Sequence, residues 1–327
     1  MTTGIKVVVA PAKRAVAVSA MIRTAGTVVA CLSLLLPTQA FGQDIWLGPN
    51  GHYTELFQSV AAWPTTAKSV KVFKISNQFA VFASDAEFGA FIAGANGLNL
   101  QIAMEGLMLS SSDRCGVKVE GYSGPGAILR AAQRIKKYGA KLSYIAMDSV
   151  LIFGHEYSGP NACRDSIESL AAQVAQKVAQ ARSVFPDIQV GDIEPIGNPR
   201  PGWLKDITEW TNAYRAATGA PLAFFQFDVD WNNPNWPQQL KAGADLMQSL
   251  GIPIGVTYNG TKVDTSGRVW VAKAVEHFHR VEGELKIHPR IAVIQSWNQY
   301  PEKMTPESDP ESLTYVIREY CRTARKN

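Results

Sequence analysis

The chain of 327 residues is 46% hydrophobic and only 18% charged, enough to bury a large core as one barrel-sized domain or as two smaller ones. Its formal charge of +4 comes entirely from residues 1–42, where Lys6, Lys13, Arg14 and Arg23 face no acids. The rest is neutral, which removes the electrostatic basis for nucleic acid or anionic lipid as a partner.

In chain order, Arg23 precedes an apolar run from Val28 to Leu36, then Pro37 and a small-residue exit, Ala40-Phe41-Gly42. That pattern predicts a secretory signal peptide over residues 1–42, cleaved near Gln43, with a retained membrane anchor as the alternative. Met21 makes a more natural start than Met1, because Met21-Ile22-Arg23 is a compact basic leader. The mature protein is then residues 43–327, periplasmic or secreted, with no membrane contact after cleavage. Export leaves Cys115, Cys163 and Cys321 in an oxidising compartment. Cys115 and Cys163 both sit in loop-like contexts after candidate strands and are expected to pair. Cys321 falls in an apolar-periodic segment and reads as a buried free thiol. No Cys-x-x-Cys or His-x-x-x-His spacing argues for a metal, and His277 and His279 point to different sides of a helix.

Strand and helix patterns then alternate eight times. The predicted strands are Ile45–Gly48, Val70–Ser76, Leu100–Glu105, Leu142–Asp148, a fifth within Asp187–Pro199, Leu222–Asp230, Ile252–Tyr258 and Ile291–Trp297. Helical spacing covers Tyr53–Trp63, Asp85–Ala95 with Ser84 as N-cap, Gly126–Tyr138 and Ser166–Phe185. It continues over Trp203–Thr218, Pro237–Leu250, Gly267–Glu282 and Pro310–Arg325. Near-continuous apolar strands between helices predict a covered parallel sheet. Eight units closing in a ring give a (β/α)8 TIM barrel, an α/β fold, with an open doubly wound sheet as the alternative. No GxGxxG follows a strand and no GxxxxGK[ST] occurs, so no nucleotide or other cofactor is expected.

Polar residues gather at the strand ends. Glu105 ends the third strand, Asp148 the fourth, Asp192 and Glu194 the fifth, Asp228 and Asp230 the sixth, Tyr258 the seventh, and Gln295 with Trp297 the eighth. In a barrel these ends converge on one mouth, where six carboxylates must share protons or pair with a base such as Lys74. The fifth-strand acids have a second reading, as caps of the helix that follows. Strand parity puts Asp228 and Gln226 on one side, with Phe225 and Phe227 facing the helices.

The eightfold pattern over residues 44–325, the Glu194-Pro195 pair after a strand, and the aromatic in Ser-Trp-Asn-Gln-Tyr-Pro resemble the glycoside hydrolase (β/α)8 barrels. Enzymes of their largest retaining clan carry Asn-Glu-Pro with the glutamate as acid/base, and a glutamate nucleophile ending the seventh strand. Here Ile193 replaces the asparagine and Tyr258 stands at the second position, and Glu194 is on the fifth strand. The resemblance implies a saccharide substrate cut by paired carboxylates. Glycosidic cleavage needs one carboxylic acid to protonate the leaving oxygen and one carboxylate at the anomeric carbon. Glu194 is the expected acid/base and Asp228 its first partner, with Glu105 and Asp148 behind it. Asp192 and Asp230 are expected to bind hydroxyls, Trp231, Tyr258 and Trp297 to stack on sugar faces, and Gln295 and His155 to line the site. Trp63, Trp210 and Trp270 read as core. The alternative function is a barrel that binds saccharide without cutting it.

Overall fold

A computed structural model of the protein describes residues 43–197 and 199–324. The expected signal peptide, residues 1–42, lies outside the described residues. Eight parallel strands close a barrel: β1 Asp44–Gly48, β2 Val70–Ser76, β3 Gln101–Gly106, β4 Leu142–Asp148, β5 Gln189–Ile196, β6 Phe225–Val229, β7 Ile254–Tyr258 and β8 Ile291–Gln295. Each strand pairs with its sequence neighbours, and β1 pairs with β8 to complete the ring. The longer covering helices are α1 Asp85–Gly97, α2 Ala127–Lys137, α3 Ile167–Val184, α4 Trp203–Thr218, α5 Trp236–Leu250, α6 Gly267–Phe278 and α7 Leu313–Ala324. Starts are set by side chains that satisfy first-turn amides: Ser84 Oγ accepts from Glu87 N, Ser166 Oγ from Ser169 N and Ser266 Oγ from Val269 N. Gly219 and Gly251, both left-handed, end α4 and α5.

Two expected helices differ. Tyr53–Trp63 does not form one helix but breaks into Glu55–Gln58, a tight turn at Val60–Ala62, and Pro64–Ala67. Pro64 bars Trp63 from helical backbone, and Trp63 turns its indole back to donate to Leu56 O at 2.8 Å. After α6 the chain continues as a wider turn, His279–Glu284, that carries Glu282 under the outer layer, where Tyr258 and Tyr320 both donate to it.

Side chains alternate across each strand, and two cores follow from that. The outer one lies between strands and helices. The inner one fills the lower barrel with Trp46, Val72, Ala103, Ala146, Ile193, Phe224, Ile291 and Val293. Trp46 meets Tyr144 at 4.8 Å and Phe224 at 5.2 Å between ring centroids, so aromatic bulk plugs the base. Gly191 leaves the space that Phe224 takes, since a Cβ there would come within 2.5 Å of its ring.

The loop after β3 is the most elaborate. It carries two-residue parallel strands, Leu109–Ser110 and Tyr122–Ser123, fastened from below by buried Lys177 of α3. Lys177 Nζ donates to Leu107 O, Leu109 O and Ser123 Oγ. Cys115 is disulfide-bonded to Cys163, with Cα atoms 5.1 Å apart, which ties this loop to the one after β4. Cys321 is a free, half-buried thiol. Removing the bridge in a Cys115→Ser/Cys163→Ser variant should lower stability by about 2–4 kcal/mol, from the loop it closes in the unfolded chain. Denaturant unfolding of the oxidised wild type and the variant checks this, and equal midpoints would show that the bridge contributes nothing.

Candidate functional site

Above the aromatic plug the inward positions turn polar. Lys74 on β2, Glu105 on β3, Asp148 on β4, Gln226 and Asp228 on β6, Thr257 on β7 and Gln295 on β8 line a cavity of about 430 Å³ at the C-terminal end of the barrel. Ile193 and Pro195 of β5, Phe153, Glu120 and Trp297 complete its wall. This is the face on which barrels carry chemistry. Gln226 and Asp228 point the same way, as parity requires, while Phe227 packs outward against Gly243 of α5.

The charges are arranged around one cation. Lys74 is buried and its Nζ lies 2.7 Å from Glu105 Oε2, to which Gln295 Nε2 also donates at 3.1 Å. Burial works against the Glu105 carboxylate, but the charge and hydrogen bond of Lys74, with the bond from Gln295, outweigh it and hold its pKa below the ordinary value. Asp228 has the opposite environment: burial pushes it up to about 7, aided by the charges of Glu105, Glu120 and Asp230 against the pull of Lys74. Burial also raises Asp148 well above the usual carboxylate range, with Glu105 and Glu120 adding repulsion. Glu120 is raised for the same first reason. Ser149 Oγ lies 3.3 Å from both Asp148 and Glu120, and Ser149 itself is left-handed at φ 51°. The mouth thus holds one carboxylate kept ionised beside others biased towards their protonated forms.

Six acids do not share this mouth. Asp192 and Glu194 lie on one side of β5, but that side faces the helices. Asp192 is fully buried and accepts from Trp210 Nε1 of α4. Glu194 accepts from Leu151 N at 2.6 Å and Ile152 N at 3.1 Å, so it caps the helical turn that follows Asp148. The expected acid/base role of Glu194 and the hydroxyl-binding role of Asp192 are therefore corrected: neither side chain lines the cavity, and Ile193 and Pro195 do. Gly191 marks the inward parity of β5, because only a residue without Cβ fits beside Phe224. Tyr258 also points outward, bonded to Glu282 at 2.7 Å, and Thr257 takes the inward place. His155 lies in the loop after β4 with Nδ1 2.7 Å from Asp165 O, and Phe153 lines the cavity instead.

A second cavity of about 380 Å³ adjoins the first and shares Pro195, Asp228 and Trp297 with it. Asp230, Trp231, Asn259 and Lys262 lie along it. Trp231 is held by a bond from Nε1 to Asn259 Oδ1 at 2.6 Å and by stacking on His277 at 4.0 Å. Trp297 is 46% exposed where the two cavities meet. Sequence reasoning missed Glu120, Thr257, Asn259 and Lys262, all of which lie in loops or at strand positions whose direction only the register shows. Among the described residues, no group of three or more His, Cys, Asp or Glu side chains is placed to hold a metal ion.

No family model matches the chain, and no curated protein matches it in sequence. Solved structures do match. An endo-1,4-β-xylanase from Caldicellulosiruptor owensensis superposes with a TM-score of 0.53 at 11% identity, covering 80% of this chain and 86% of its own. A psychrophilic glycoside hydrolase family 10 endo-β-1,4-xylanase gives 0.54 at 9% identity, over 85% of this chain and 96% of its own. An endo-β1,6-glucanase gives 0.53 at 13% identity, over 84% and 75%. The chain shares the (β/α)8 TIM-barrel fold of these structures.

The outward acids make a testable contribution to stability. Burial pushes Asp192 up to about 8 in the folded protein, above its ordinary value near 4. The native state therefore keeps a proton that the unfolded chain loses. That stability is full below about pH 4 and is lost as pH rises through about 8. Asp192→Asn keeps an acceptor for Trp210 and cannot ionise, so its advantage over wild type should grow from pH 5 to pH 9. Thermal unfolding of both proteins across that range decides it, and parallel curves would mean that Asp192 does not titrate there.

Proposed function

We propose that the protein is an exported glycoside hydrolase that cuts a poly- or oligosaccharide in the cavity around Glu105 and Asp228. The observation that carries this is the split environment of those two carboxyl groups. Lys74 and Gln295 stabilise Glu105 as an anion, while Asp228 is pushed to about 7, near the pH where a group can both give and take a proton. In this reading protonated Asp228 donates to the leaving glycosidic oxygen as its bond to the anomeric carbon breaks. Glu105 supplies the negative charge at that carbon, as nucleophile or as base towards water. Burial, with the charges of Glu105, Glu120 and Asp230 against that of Lys74, sets the field around Asp228, and Trp297 offers its exposed face to the sugar. The xylanase and glucanase folds support the reading by analogy of fold alone. For export, the support is the leader at residues 1–42, together with the disulfide; no helix among the described residues is long and apolar enough to cross a membrane.

One observation favours a second reading, saccharide binding without cleavage. Where the resemblance puts the acid/base and nucleophile of the large retaining clan, the barrel interior has Ile193, Pro195 and Thr257. Release of reducing ends from plant, fungal and bacterial polysaccharides separates the two.

For the enzyme, kcat/KM should be bell-shaped in pH, falling in acid as Glu105 protonates and falling again near pH 7 as Asp228 loses its proton. Asp228→Asn should lower kcat by about 10²- to 10⁴-fold with KM little changed. A wild type that binds glycan, releases no sugar and is matched in every assay by Asp228→Asn would leave the binding module standing. Trp297→Ala should instead weaken saccharide binding by roughly 1 kcal/mol. Titration with a non-hydrolysed ligand measures that loss, and unchanged affinity would remove Trp297 from the binding surface.

A further inference from the structure

The cavity wall holds more carboxyl groups and acceptors than free donors, which are the indole N–H of Trp297 at its rim, the Thr257 hydroxyl and the remaining protons of Lys74. Lys74, the basic side chain in it, is already engaged by Glu105 at 2.7 Å. Gln295 gives its Nε2 to the same carboxylate, and its Oε1 has no partner among the described residues. Gln226, only 1% exposed, gives its Nε2 to Thr257 Oγ1 at 2.7 Å and likewise leaves Oε1 without a partner among the described residues. Ser149 Oγ is directed at Asp148 and Glu120. Glu120, Asp148 and Asp228 have no ion-pair partner among the described residues. Lys262, the next lysine along the cleft, belongs to the adjoining cavity, which also holds Asp230. What the wall offers a ligand is therefore mainly acceptors and a group of carboxyls without a cation, which a bound cation would draw into their ionised forms.

A sugar hydroxyl gives one proton and asks for donors in return, and an N-acetyl group brings a carbonyl that also needs a donor. An ammonium group only donates, three times, and brings the charge that these carboxylates lack. A uronate would set like charge against like. We infer that the saccharide unit bound beside Asp228 carries a free amino group, seated as an ammonium between Asp148 and Glu120, which share Ser149 Oγ, and leaving Asp228 its proton. The substrate class is then an amino-sugar polymer with unacylated units. This rests on reading the cavity as a saccharide site and adds the chemistry of the sugar.

The test is equilibrium titration of the full mature chain at pH 7 and low salt. The probes are glucosamine and galactosamine with their short oligomers, the N-acetylated counterparts, and oligogalacturonate of equal length. The free amines should bind about tenfold tighter than the N-acetylated forms, and the uronate should not bind. Glu120→Gln, a change in an exposed loop side chain, should shrink that preference several-fold. Equal or tighter binding of the N-acetylated or uronate chains overturns the inference and leaves the saccharide reading intact. Absence of binding by every member of the panel overturns both.

Discussion

The contact between Lys74 and Glu105 governs the charge of everything at the open end of the barrel. It places one cation beside four carboxyl groups inside a wall of protein, so only one of them can be fully compensated. Compensating Glu105 leaves its neighbours worse off: burial raises Asp148 and Asp228, and the negative charge of Glu105 adds to that while Lys74 only partly offsets it. A buried pair of this kind is costly to break from one side, by about 3–5 kcal/mol, since the remaining charge is stranded. Its third member, Gln295, fits because Gly48 beside it has no side chain: a Cβ there would lie 3.0 Å from Gln295 Cγ.

Around that pair, residues outside the cavity hold the rest of the mouth in place. Glu194, on the far side of β5, binds two amides of the turn immediately after Asp148 and so fixes where β4 ends. Ser149 adopts left-handed backbone at that junction, which lets its hydroxyl meet Asp148 and Glu120 together. Glu120 comes from a different loop, positioned by the Cys115–Cys163 bridge and by Lys177 beneath it. Lys177 gives three hydrogen bonds to that loop and has no acid paired with it among the described residues, and burial brings its pKa down to about 8. Strand ends and loops are therefore one construction, with the acids of the helix layer serving those of the barrel.

The barrel itself was legible because its signals are local and repeated. Apolar strands of five to eight residues recur between helical stretches, and the serine at 84 marks a helix start by the amide it satisfies. The two misjudged helices failed where a local signal was outweighed. At Trp63 the following proline overrode helical spacing, and after Phe278 the buried Glu282 drew the chain into a wider turn. The cysteine pairing was legible too, since only three cysteines follow residue 42 and two of them lie in loops after neighbouring strands.

The site was legible only in part, and strand parity explains the division. Composition and period determined that Glu105, Asp148 and Asp228 stand at strand ends, and the alternation within β6 placed Asp228 with Gln226 opposite Phe227. An alternation has two phases, however, and on β5 both faces end up buried, so polarity could not say which one held Asp192 and Glu194. The choice was made by packing: Phe224 fills the barrel beside Gly191, and Trp210 offers Asp192 a partner on the helix side. Glu120 needed more still, because its approach to Asp148 depends on a loop closed by contacts far apart in the chain. Local periodicity determines elements and their amphipathic faces; which face turns inward is decided when eight strands must fill one cylinder together.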